Sequence, residues 1–98
     1  MKIDGFDWDD GNWPKCAKHG LTKHAIEGAL SGEITIFDDP VDPTTERRFR
    51  AIGNDAARRM IFIVFCFRRR QGKTFLRPIS ARYMHDKEVQ HYERQKDT

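Results

Sequence analysis

Ninety-eight residues, 38% hydrophobic and 34% charged with a net charge of +3, suit one small domain holding a sheet and two or three helices. Eleven aromatics argue against disorder throughout. Two distant cysteines and an apolar run of only eight residues, Met60 to Phe67, exclude a disulfide scaffold and a membrane-spanning helix. With no signal peptide at its start, the chain reads as a cytoplasmic domain.

The charge is unevenly spread. Residues 1–49 hold six Lys/Arg against ten Asp/Glu, whereas residues 50–98 hold twelve against five. A basic half of that size points to an anionic partner, nucleic acid first, with a merely solvated surface as the plain alternative.

In chain order, Ile3 to Asp9 alternates apolar and acidic residues, the period of a half-buried strand. Asp9 to Asn12 offers turn and N-cap chemistry, and a short helix is predicted from Trp13 to His19, closed by Gly20. A second helix runs to Leu30 from Thr22 as N-cap, with Ala25, Ile26, Ala29 and Leu30 on one face. Ile34 to Phe37 reads as a short extended piece, and Asp38 to Thr45, with Pro40 and Pro43, as a loop.

Three strands follow. Arg47 to Ile52 alternates, with Phe49 and Ala51 opposite Arg48 and Arg50. Met60 to Phe67 is continuously apolar and reads as a central strand covered on both faces. Arg68 to Lys73 is predicted to be a hairpin loop whose arginines are solvated or touch an RNA backbone nonspecifically, and Phe75 to Arg82 the last strand. Pro78 demands an edge or a bulge there. A final helix is expected from about His85 to Gln95. The order β-α-α-β-β-β-α gives an α+β fold with a small antiparallel sheet and helices on it.

Two constellations could carry chemistry. Cys16 and His19 have chelating spacing, but zinc sites want two close ligand pairs and the second pair is missing. No metal or cofactor is expected, and a Cys16–His19 nucleophile has no further support. The other set is His19, Glu46, Arg48, Arg50, Arg58, Arg59, Arg77 and Arg82. Cutting RNA without a metal needs a base for the 2′-hydroxyl, an acid for the leaving oxygen and fixed positive charge for the pentavalent phosphate. Glu, His and the planar guanidinium fork supply these types.

The segments Phe6-Asp7-Trp8-Asp9, Lys18-His19-Gly20-Leu21-Thr22, Phe37-Asp38-Asp39-Pro40, Glu46 to Gly53 and Arg77 to Arg82, with Glu88 and Tyr92, occur in an order and spacing that resembles the BrnT family of type II toxins. The resemblance covers nearly the whole chain. It implies one toxin domain spanning residues 1–98, of RelE-like ribonuclease fold, that degrades RNA and inhibits translation. It also implies neutralisation by a ribbon-helix-helix (BrnA-like) antitoxin, with operator DNA touched only through that partner and no membrane involved.

Carried over by position, His19, Glu46, Arg48 and Arg82 are the expected catalytic residues. Arg50, Arg58, Arg59 and Arg77 are the expected RNA-binding ones. Glu46-Arg47-Arg48 holds one Arg more than the family pattern, and alternation favours Arg48 as the inward one. Regular alternation also puts Arg77 and Arg82 on opposite faces, unless a bulge at Pro78 brings them together. The alternative reading is a non-catalytic RNA- or protein-binding module of the same fold, and a third is an inactive relative of the toxins.

Overall fold

The apolar run that starts at Met60 becomes the middle strand of a five-stranded sheet in the computed structural model, which describes residues 2–38 and 46–96. The elements are β1 (Gly5–Phe6), α1 (Trp13–Ala17), α2 (Lys23–Ser31), β2 (Thr35–Asp38), β3 (Phe49–Asn54), β4 (Met60–Arg70), β5 (Lys73–Tyr83) and α3 (Asp86–Lys96). Their spatial order in the sheet is β1-β5-β4-β3-β2. The β1–β5 pair is parallel and the other pairs are antiparallel. The fold is therefore α+β, as expected, with a mixed sheet rather than a purely antiparallel one. The short extended piece after α2 is a full partner of β3, and most of the predicted loop that follows, residues 39–45, lies outside the described residues.

Each helix end has a chemical cause. The Thr22 side chain accepts the Ala25 N–H at 3.0 Å, starting α2, and Gly20 adopts φ 83° in the turn before it. His85 stands at the N-cap of α3: its carbonyl takes the Val89 N–H, and Glu88 reaches back to its backbone N–H at 2.9 Å. That is one half of a capping box.

One sheet face carries the core. Ala51, Ile61, Ile63, Phe65, Leu76 and Ala81 pack against Cys16, Leu21, Ile26, Ala29 and Leu30 of the helical layer. Each large side chain buried there contributes on the order of 2 kcal/mol. Phe49, Phe65 and Phe67 form an aromatic cluster beside it, with centroids 5.4 to 5.6 Å apart. Trp8 and Trp13 meet edge to face at 5.3 Å, and the Trp8 indole donates to Glu27 at 2.7 Å, pinning both helices to the first strand.

The opposite face departs from expectation. β4 is not covered on both sides: Phe62 and Val64 remain half-buried, because α3 shields only one end of that face and buries no residue completely. The β4–β5 loop is also shorter than predicted. The strands run to Arg70 and from Lys73, leaving only Gln71 and Gly72 to turn at φ 51° and 77°. Two consecutive positive φ values define the tight turn that matches strand twist.

Pro78 sits at a bulge. Val64 pairs with Ser80 but Phe65 pairs with Pro78, so Ile79 is the extra residue. The insertion flips the alternation, and Arg77, paired with Cys66, comes to the same face as Arg82, paired with Phe62. Those partners are four residues apart along β4, or about 14 Å.

Candidate active site

The bulge and the long β4–β5 hairpin build a cleft of about 190 Å³ on the open face. Its walls are Gly11, Asn12, Glu46, Arg48, Cys66, Arg68, Arg77 and Ile79. Arg48 precedes β3 in phase with Arg50, Arg68 follows Cys66 in phase on β4, and Arg77 lies across from Cys66 on β5. Strand periodicity thus aims three guanidinium groups and one carboxylate at one space.

The electrostatics are ordered. Arg68 donates directly to the Glu46 carboxylate, and that contact raises the Arg68 pKa above its ordinary value. Arg77 is 13% exposed and donates to Asp9 at 2.9 and 3.0 Å and to Asp7 at 3.2 Å. The Asp9 contact holds the guanidinium charged and pulls the Asp9 carboxyl below its usual range. Arg70 also reaches Asp7 at 3.2 Å. Among the described residues no carboxylate pairs with Arg48.

Asn12 ties this corner down. Its amide donates to the Asp7 carbonyl at 2.9 Å and to the Pro78 carbonyl at 2.7 Å, and its oxygen accepts the Asp9 N–H at 2.8 Å. The residue occupies the N-cap position of α1 but makes no side-chain cap bond there. Its side chain serves the bulge instead.

The expected residues are not all gathered. Glu46, Arg48 and Arg77 meet in the cleft. Arg82 shares their face but lies at the α3 end, bonded through both guanidinium nitrogens to Glu88 at 2.8 Å and set over the Phe62 ring at 5.0 Å. Arg50 falls between, paired with Val64. Arg58 and Arg59 occupy the β3–β4 loop, at the far end of a six-residue strand from Arg48, about 20 Å away. Arg59 stacks on Tyr83 at 3.7 Å.

His19 does not join the cleft. It is exposed in the turn behind α1, whereas Cys16 is fully buried in the core, so the two form no catalytic pair. Burial pushes the Cys16 thiol up to about 11 and also raises Cys66, where the Glu46 carboxylate adds to the effect. Neither is an activated nucleophile. Among the described residues no three His, Cys, Asp or Glu side chains gather as a metal site, and no helix is long and apolar enough to cross a membrane.

Arg68 was missed because the sequence places it in a loop. Continuing the period of Phe62, Val64 and Cys66 through the strand would have found it.

A family model described as "Ribonuclease toxin, BrnT, of type II toxin-antitoxin system" matches residues 8–88. The chain belongs to that family. No curated protein matches it closely enough to add to this. The matched span contains every residue lining the cleft. Membership in a family of ribonuclease toxins brings with it an RNA substrate and an antitoxin partner as the family's working context.

Proposed function

We propose that this BrnT-family protein is a metal-independent endoribonuclease whose reaction takes place in the Glu46–Arg48–Arg68–Arg77 cleft. The observation that carries the reading is the convergence of one carboxylate and three guanidinium groups on the open sheet face. Glu46 takes the proton of a ribose 2′-hydroxyl, and the 2′-oxygen attacks the adjacent phosphorus. Arg48 and Arg68 bind the non-bridging oxygens and stabilise the pentavalent state. Arg77, clamped by Asp7 and Asp9, offers fixed charge toward the departing 5′-oxygen, which leaves with a proton from water. The products are a 2′,3′-cyclic phosphate and a free 5′-hydroxyl. The guanidinium groups supply positive charge that a divalent ion would otherwise bring.

The biological reading follows the family. The protein inhibits translation by degrading RNA, is neutralised by a ribbon-helix-helix antitoxin of the BrnA type, and meets operator DNA only through that partner. Arg82 is a positioning residue in this scheme, and His19 plays no part in proton transfer.

The test is cleavage of a defined RNA by the purified protein in EDTA, with Glu46→Gln and Arg48→Ala beside it. Cleavage by wild type alone, ending in cyclic phosphate, is expected. Abolition by EDTA would overturn metal independence, and full activity of both variants would remove the cleft from the reaction.

One observation favours a second reading, a non-catalytic RNA- or protein-binding module. Among the described residues no His, Lys or Tyr lines the cleft, so no side-chain acid faces the leaving group. Tight RNA binding without cleavage, and without growth arrest when the protein is expressed alone, would establish that reading.

A further inference from the structure

An aromatic recess on the open face lies beyond the cleft. A groove of about 420 Å³ runs between α3 and the sheet, walled by Phe37, Ile52, Phe62 and Tyr92, with Glu88, His91 and Lys96 adding ionisable groups to its lining. The Tyr92 and Thr35 hydroxyls are hydrogen-bonded to each other, and the Arg82–Glu88 pair anchors α3 over the sheet. Aromatic walls with a few polar groups at the edge form the kind of recess that holds a flat heterocycle.

By strand register, Arg50 stands on β3 between the groove and the cleft. Arg50 pairs across the sheet with Phe37 of β2 on one side and with Val64 on the other. It stands two positions from Arg48 on the same face, so cationic residues lead from the cleft to the groove along β3, with about 7 Å between them. Extended single strands are held in this fashion, with charge tracking the backbone and aromatic rings receiving bases.

We infer that the groove under α3 is a base-binding subsite for single-stranded RNA, occupied by a nucleobase flanking the link cut in the cleft, with Arg50 beneath the intervening phosphate. The inference rests on the ribonuclease reading above. It adds that the substrate is unpaired and that Phe37, Phe62 and Tyr92 contribute to affinity. A duplex cannot enter, because its bases are stacked and its edges occupied. Phe37 is 37% exposed and lies on an edge strand, so its aromatic ring is not needed to fill the core.

The experiment uses a 2′-fluoro oligouridine, which has no 2′-hydroxyl and cannot be cut, with fluorescence anisotropy as readout. Phe37→Ala and Tyr92→Ala, each checked for wild-type circular dichroism, are expected to bind it roughly tenfold more weakly. Photo-crosslinks from a 5-iodouridine version are expected on the β2 or α3 peptides. Unchanged affinity in both folded variants, with crosslinks confined to the cleft, would overturn the subsite. The same holds if the variants bind the oligonucleotide normally but no longer retain a co-expressed antitoxin, which would make the groove a protein surface. Cutting of unmodified oligouridine by the wild type separates the two claims. If it cuts while both variants bind normally, only the subsite falls. If it neither cuts nor binds, the ribonuclease reading falls with it.

Discussion

Arg82 and Glu88 are joined by two parallel hydrogen bonds of 2.8 Å, and the same carboxylate caps the backbone N–H of His85. One side chain therefore both starts α3 and fastens it to β5. These contacts, the Arg82 hydrogen bond foremost, depress the Glu88 pKa from 4.5 to about 2. A depressed carboxylate adds stability that is fully present above its unfolded pKa and is lost as pH falls through its folded one. The window is thus roughly pH 4.5 down to 2. Glu88→Gln should lower stability at pH 7 by no more than about 1 kcal/mol, since the pair is more than a third exposed and screened by solvent. The gap between variant and wild type should close across that acid window in urea titrations followed by circular dichroism. A gap that stays constant down to pH 2 would show that the pair contributes nothing to folding.

Arg68 orients Glu46 from a neighbouring strand, and its contribution separates from stability. The pair is about 40% exposed on both sides, 38% and 44%, so Arg68→Gln should cost well under 1 kcal/mol in unfolding experiments. On the proposed mechanism, loss of one donor to the pentavalent phosphate lowers kcat roughly a hundredfold. Arg68→Lys should recover only part of this, because a point charge cannot reproduce the planar fork. Wild-type kcat in Arg68→Gln would remove it from the reaction.

Asn12 holds the corner on which Arg77 depends. The residue is 2% exposed and satisfies two carbonyls and one N–H from two separate stretches, residues 7–9 and Pro78. Asn12→Ala leaves all of these without a partner and should cost about 2–3 kcal/mol. Urea denaturation measures the loss directly. A change below about 0.5 kcal/mol would mean that water replaces the amide without penalty.

These residues show how far the sequence could be read. The α+β class, the three helix starts, the central strand and the bulge option at Pro78 were all legible, since each rests on a local signal: an N-cap, a period or a missing N–H. What failed was connection at long range. No local rule places Gly5–Phe6 beside β5, or brings Asp7 and Asp9 to Arg77 some seventy positions later. His19 was favoured for its chemistry, yet its position in a turn behind α1 keeps it from the open face. Glu46 and Arg48 were nameable because motif and alternation agreed, and Arg77 from the motif alone, since it needed the Pro78 bulge to share the face; Arg68 was hidden by overestimating a two-residue turn.

Gly53 lies directly against the backbone of α2. A Cβ built there would lie 2.9 Å from the Ala29 carbonyl oxygen and 3.0 Å from the Ile34 side chain. The neighbour at 2.9 Å is helix backbone and cannot rotate away. Gly53→Ala should therefore push α2 off β3 and destabilise the protein by about 1–3 kcal/mol. By contrast, Gly28→Ala meets nothing within 4 Å on the exposed side of α2 and should be neutral or slightly stabilising. Equal melting temperatures for the two variants would contradict this packing.

The two thiols give a readout of the same packing from inside. Cys16 is buried in the core and held up to about 11 by desolvation, and Cys66, 2% exposed at the floor of the cleft, is raised by burial and by Glu46. The thiolate is the reacting form, so iodoacetamide at pH 8 should modify neither residue in the folded protein at an appreciable rate. Labelling of both should rise together through the urea transition. If Cys66 alone reacts under native conditions, its labelling should be slowed when a phosphate-bearing oligonucleotide fills the cleft above it. Fast native labelling of Cys16 would contradict the buried position that places α1 against the sheet.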